Sequence, residues 1–228
     1  MIHESSSAAA IRRPLRWDFL GHIPYQEAVA RQHAVREALK QGTGIEHLLL
    51  LEHPHVYTLG RNATAADILA GPDWLAARGV EVAECDRGGQ VTYHGPGQLV
   101  GYPIVNLSPD RRDVRRYVRD LQEVLLRTLA DYGVAAEVRG GQEFIGVWAG
   151  KDKIASIGVH LSRWITTHGF ALNVATDLSY FAGIIPCGLQ GIGMTSIERI
   201  TGRSPALAEV AAVCAGHFAG IFDREPAG

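Results

Sequence analysis

The sequence predicts an α/β (α+β) domain, a mixed sheet with helices packed against it. Three observations lead there. Stretches with helical character stand near both ends and in the middle of the chain, and strand-like stretches cluster between them. One strand-like stretch, Ile45–Leu51, carries four consecutive leucines, as a strand buried on both faces does. The 228 residues, 46% of them hydrophobic, suffice for one sizeable core. No repeat or linker divides them. The expected organisation is a Ser/Ala-rich disordered tail over residues 1–13 and a single domain over residues 14–228.

Each element has a local reason. In Pro14–Gly21, Leu15, Trp17 and Phe19 alternate against Arg16 and Asp18, which is a strand. Helix formers fill Pro24–Lys40, and Gly42 offers a stop. After Ile45–Leu51, His53-Pro54-His55 breaks the strand and Val56–Leu59 resumes one. Pro72–Ala77 reads as a short helix ended by Gly79, and Val80–Ala83 as a short strand. Gln98–Asn106 is strand-like. Asp113–Tyr132 is the clearest helix, with Val114, Val118, Leu121, Leu125 and Leu129 at steps of three and four. Strands follow at Val134–Val138, Phe144–Trp148, Lys153–Leu161 and Trp164–Asn173, and the turn Gly150-Lys151-Asp152 makes a hairpin of the middle two. Asp177–Phe181 is a helical turn, Gly183–Gly193 a loop, and Thr195–Ile200 a short helix. The last helix starts near Ser204-Pro205 and runs to about Phe222.

Composition narrows the function. A net charge of −2 points to neither nucleic acid nor membrane. The N-terminus lacks the apolar centre of a signal peptide, and no apolar run is long enough to span a bilayer, so a cytoplasmic protein is expected. Cys85, Cys187 and Cys214 are odd in number and far apart, which suggests neither a disulfide framework nor a paired-cysteine zinc site. His47, His53 and His55 have no second cluster to complete a metal site, and none is expected. No Gly-Lys-Ser/Thr triplet makes a P-loop, and Gly188–Gly193 has the wrong order for a dinucleotide fingerprint.

One stretch asks for a ligand. Arg87-Gly88-Gly89-Gln90-Val91-Thr92-Tyr93-His94-Gly95-Pro96-Gly97-Gln98 holds four glycines and a proline with varied polar groups between them. Glycines let backbone approach a ligand closely, and the polar groups can orient it, so this stretch is read as one wall of a binding site. Cys187 lies between Pro186 and Gly188, which argues for an exposed turn and a candidate nucleophile; the plainer reading is an inert thiol. Cys214, among alanines and valines, reads as core, and Cys85, beside Asp86, as structural. Lys153 heads the stripe Ala155, Ile157, Val159, Leu161; it can assist a thiolate, or simply snorkel to water. His94 is read as positioning a ligand and His168 as a satisfied core histidine. Arg111, Arg112, Arg115, Arg116 and Arg119 form a basic face on the long helix, either solvated or a dock for an acidic partner.

These pieces together resemble the lipoyl(octanoyl) transferases. Arg87–Gln98 is similar to that family's signature, and His55-Val56-Tyr57-Thr58-Leu59-Gly60-Arg61 to its upstream segment. Lys153-Ile154-Ala155-Ser156-Ile157-Gly158 resembles the segment with its lysine, His168-Gly169-Phe170-Ala171-Leu172-Asn173 a substrate-lining strand, and Pro186-Cys187-Gly188 the segment with its cysteine. The resemblance runs over roughly residues 15–220 and implies a fold similar to the catalytic domains of biotin and lipoate protein ligases. It implies octanoyl transfer from acyl carrier protein to a lysine of lipoyl domains, those of 2-oxoacid dehydrogenase and glycine cleavage complexes, in lipoate biosynthesis. Cys187 would form the acyl-enzyme and Lys153 would assist, as a cation or as a base. Arg87, Gly88, Gly89, Gln90, Val91, Thr92, Tyr93, His94, Ser156, Ile157, Gly158, Gly169, Phe170 and Ala171 would hold substrate, with Gly158, Gly169 and Ala171 small enough to leave an acyl slot. No cofactor and no metal would be needed, and a monomer is expected. The competing readings are an ATP-dependent lipoate or biotin ligase, a non-catalytic acyl-carrier-binding module and, less well supported, a cysteine hydrolase.

Overall fold

The computed structural model describes residues 12–141, 144–185 and 192–227. Its first strand, β1, is Arg13–His22, so Arg13 belongs to the sheet and not to a tail. Helix α1 (Tyr25–Gln41) follows, stopped by Gly42 in the left-handed conformation, and returns the chain to β2 (Glu46–Glu52), parallel to β1. The four leucines of β2 divide as a period of two requires: Leu48 and Leu50 enter one core cluster, Leu49 and Leu51 the other. Both faces of this strand are therefore covered, as the leucine run implies.

The chain then leaves the main sheet. Strands β3 (Val56–Leu59), β4 (Glu81–Glu84) and β5 (Val91–His94) form a separate three-stranded sheet in the order β4-β3-β5, with the short helix α2 (Pro72–Ala77) between β3 and β4. β5 adds to the sequence reading, which took Arg87–Gln98 as one wall of a binding site and assigned no strand to Val91–His94. Flanking glycines hid four residues whose partner, β3, lies far upstream. The chain rejoins the main sheet at β6 (Gln98–Ile104) and crosses into α3 (Val114–Asp131), capped by the Asp113 carboxylate on the Arg116 N–H.

Strands β7 (Gly146–Ala149), β8 (Asp152–Ser162) and β9 (Ile165–Asn173) are joined by tight turns. Val134–Val138 is not a strand; it makes one bridge, Glu137 to Trp148. A 3-10 helix over Leu178–Gly183 and helix α4 (Ile197–Thr201) precede α5 (Leu207–Phe222). α5 begins after Pro205 rather than at it, because proline's fixed φ also suits an extended lead-in, here continued by Ala206. A last strand, β10 (Arg224–Pro226), pairs in parallel with β1 and was too short to read from sequence.

The main sheet runs β10-β1-β2-β6-β9-β8-β7 and is mixed: β1 pairs in parallel with β10 and β2, and the remaining pairs are antiparallel. α3 and α5 cover one face through Leu121, Leu125, Cys214 and Phe218. α1 covers the other through Ala28 over Leu49, Tyr102 and Ala171. Among the described residues no helix is long and apolar enough to cross a membrane.

Candidate active site

A cavity of about 1080 Å³ opens between the small sheet, strands β8 and β9, and the start of α3. Ligand cavities ordinarily occupy about 300–1,000 Å³, so this one has room for a chain and its head group. The glycine-rich stretch is held in place by the upstream segment. Gly60 N–H donates to the Gln90 carbonyl (3.3 Å), Arg61 N–H to that of Arg87 (3.1 Å) and Asn62 N–H to that of Gly89 (3.1 Å). A Cβ at Gly60 would sit 2.4 Å from the Gly89 oxygen, which explains the glycine. The Arg87 guanidinium is buried and donates to the Thr58 carbonyl (2.7 Å) and hydroxyl (2.8 Å). It ties the wall to β3 while bordering the cavity.

Arg87, Gly88, Gly89, Gln90, Val91, Thr92, His94, Ser156, Ile157, Gly158, Gly169, Phe170 and Ala171 all line the cavity, as does Lys153. Tyr93 does not. Alternation along β5 sends it to the opposite face, where it stacks on Tyr180 at 5.1 Å and its hydroxyl meets His55 Nδ1 at 2.8 Å. Gly169 borders the cavity but is glycine for another reason: a Cβ there would lie 2.3 Å from the Gly101 oxygen of the neighbouring strand. It allows close strand packing and does not open a slot.

Lys153 is 1% exposed. Its face differs from the one the sequence suggested. β7 and β8 lose register between Val147 and Trp148, because Ala155 pairs with Val147 and Lys153 with Trp148, leaving Ile154 as the extra residue. Such a bulge puts two successive side chains on one side. Ile154 and Ala155 both enter the core under α3, and Lys153 falls on the face of Ser156 and Gly158. Gly146 makes room for its stem: its φ is 144°, and a Cβ would lie 2.5 Å from Lys153 Cε. Gln122 of α3 donates to the Gly146 carbonyl at 3.2 Å and anchors that strand. Neither residue was picked out from sequence, although a glycine opening a strand opposite the lysine was a usable signal.

Cys187, with Pro186 and Gly188, lies outside the described residues. The chain resumes beside Lys153: the Lys153 N–H donates to the Gly193 carbonyl (2.9 Å) and the Thr195 N–H to the Lys153 carbonyl (2.9 Å). On the other side, Ile185 N–H is held by the Asp67 carbonyl at 2.8 Å. Cys214 is core, as expected, and burial pushes its thiol up to about 12. Cys85 is half-buried, and its Sγ lies 3.2 Å from the Leu59 carbonyl.

Three histidines form the polar interior. His94 Nδ1–H donates to Gln98 Oε1 (2.7 Å), His53 Nε2 lies 2.9 Å from the Tyr102 hydroxyl, and His168 Nε2–H donates to Asp86 (2.7 Å). His168 is thus buried and satisfied, yet it lines the cavity and has a φ of 56°. Its N–H is held by Gln32 Oε1 at 2.7 Å, which helps to keep that uncommon backbone. Tyr25 and Tyr102 line the cavity too and were not anticipated. Burial lowers His94 to about 3 and His53 and His168 to about 4. Each folded value lies below the ordinary 6.5, so the unfolded chain binds more protons and stability rises with pH across that window. Unfolding free energy is expected to fall as pH drops from 6.5 towards 4, by at most about 1 kcal/mol per pH unit for each histidine. Urea midpoints measured across that range check it, and a flat profile would refute it. Among the described residues no group of His, Cys, Asp and Glu is placed to hold a metal ion.

Residues 24–219 match the lipoyl protein ligase A/B catalytic domain. The chain belongs to that family, among its octanoyltransferases. This family member is 53% identical to an octanoyltransferase of Solibacter usitatus over 206 residues, 90% of this chain and 92% of that one. It is 50% identical to one from Myxococcus xanthus, over 90% of this chain and 59% of that longer relative. The solved structure of a lipoate protein ligase from T. acidophilum with bound lipoic acid superposes with a TM-score of 0.72 at 16% identity, covering 95% of this chain and 88% of that one. At that identity the likeness speaks for the fold, which agrees with the sheet and helices described above.

Proposed function

We propose that this octanoyltransferase takes its octanoyl group as a thioester from acyl carrier protein and passes it, through a Cys187 acyl-enzyme, to the ε-amine of a lysine on a lipoyl domain. This would be a step of lipoate biosynthesis. The observation that carries the reading is the buried Lys153 at a cavity walled by the glycine-rich signature and by the small-residue face of β8 and β9. In sequence Cys187 is two residues from Ile185, whose N–H donates to the Asp67 carbonyl, and six from Gly193, whose carbonyl accepts from the Lys153 N–H.

The chemistry follows from these groups. Cys187 thiolate attacks the thioester carbonyl, the carrier's thiolate leaves, and the acyl group rests on Cys187. The lysine amine of the acceptor then attacks that carbonyl, loses a proton, and expels Cys187 thiolate as the amide forms. Lys153 assists either by stabilising the thiolate as a cation or by accepting a proton as a neutral amine. Burying the octanoyl chain against Ile157, Gly158 and Ala171 contributes up to about 0.8 kcal/mol per methylene. The thioester already holds the energy that the amide requires. Octanoyl transfer to a lipoyl domain is therefore expected to go to completion without ATP, as followed by the mass of the acceptor. Product that appears only with ATP would sink this reading and favour the ligase alternative.

A further inference from the structure

The long helix carries more arginines at its start than the fold uses. Arg111 is buried, pairs with Asp120 and lies over the Phe222 ring, so it is structural. Arg112 donates to the Ser108 hydroxyl, and Arg116 sits 3.8 Å from Asp120. Arg115 and Arg119 differ. Both are exposed, both line the cavity, and neither side chain forms a hydrogen bond or an ion pair among the described residues. Their charges act on Asp113, whose carboxylate is already tied to the Arg116 N–H as the helix cap.

Between them and the segment that follows β-bridge residue Glu137 runs an apolar cleft. Val114 is 42% exposed and Val138 46% exposed, and Val118 lies deeper. All three line the same cavity as Lys153 and Gly158. Arg139 adds to the rim, stacked over Trp148 and paired with Glu137. An exposed apolar strip with a cationic rim, on a chain whose net charge is −2, is a local departure from the rest of the surface.

We infer that this cleft, with Arg115 and Arg119 at its rim and Val114, Val118 and Val138 on its floor, is the dock for an acidic carrier protein that feeds its acyl chain through it into the cavity. The inference rests on the octanoyl-transfer reading. The arginines complement an acidic surface and accelerate encounter. The apolar floor, continuous with the cavity, suits a donor that threads an eight-carbon chain on a long arm. An acceptor presents only the stem of one lysine and needs no such channel.

The test compares wild type with the double variant Arg115→Glu/Arg119→Glu on two donors, octanoyl-carrier protein and octanoyl-pantetheine. The expected result is a rise of about tenfold or more in KM for the carrier that is shared neither by KM for octanoyl-pantetheine nor by KM for the lipoyl domain. The dock is overturned if KM for the carrier does not move. It is also overturned if KM for the lipoyl domain rises instead, which would make the cleft the acceptor's, or if both donors lose equally, which would place the arginines inside the chemistry. Wild type that transfers from neither donor overturns the transfer reading itself, and the dock with it.

Discussion

Cys187→Ala is expected to abolish octanoyl transfer, lowering kcat by about 10³-fold or more, as loss of a covalent nucleophile does. By the conversion of 1.36 kcal/mol per tenfold, that is about 4 kcal/mol or more of lost transition-state stabilisation. Incubation of wild type with octanoyl-carrier, read by intact mass, should show one acyl adduct on the enzyme; the variant should show none. The alternatives for this residue separate cleanly. An inert structural thiol would leave both adduct and rate in place, and a persistent adduct in the variant would move the nucleophile elsewhere. Cys214 is a poor substitute because it is fully buried with its thiol pushed up to about 12. Cys85, half-buried at the end of β4, is the control to mutate alongside.

Lys153→Met is expected to slow transfer by about 10²- to 10⁴-fold, the range of a positioned acid–base group. Methionine is the better probe than alanine. It keeps an unbranched stem in the space that Gly146 leaves and so avoids a cavity. Circular dichroism and the melting temperature should then stay close to wild type. The two half-reactions distinguish the lysine's roles. A cation beside the thiolate mainly speeds acylation, so iodoacetamide labelling of Cys187 at neutral pH would fall with it. A base mainly speeds attack by the acceptor amine, so acyl-enzyme would form and then accumulate. Unchanged rates in both halves would remove Lys153 from the mechanism.

Much of the architecture was legible because it is written locally. The leucine run of β2 required cover on two faces and found it. The steps of three and four in α3 required a core at Leu121, Leu125 and Leu129. Val114 and Val118 belong to the same apolar stripe, yet they open on the cavity. Periodicity reports which residues avoid water and cannot say whether protein or a ligand-sized space lies opposite. The basic face was similarly misjudged as one unit. Arg111 turned inward to Asp120 and Phe222, while Arg115 and Arg119 stayed outside.

The sequence by itself determined the mixed sheet with packed helices, the family, the wall from Arg87 to His94 and the candidacy of Lys153 and Cys187. These are properties of residue type, short spacing and order, which survive without coordinates. Only the tertiary structure decided which way the side chains point. Tyr93 faces away because a strand no one-dimensional pattern announced alternates through the signature. Gly169 is small to let strands approach, not to admit a ligand. Lys153 reaches the cavity because one extra residue, Ile154, bulges from β8 and reverses the faces before it. Register and bulges depend on partners distant in the chain, and in a strand a shift of one residue turns every side chain to the other face.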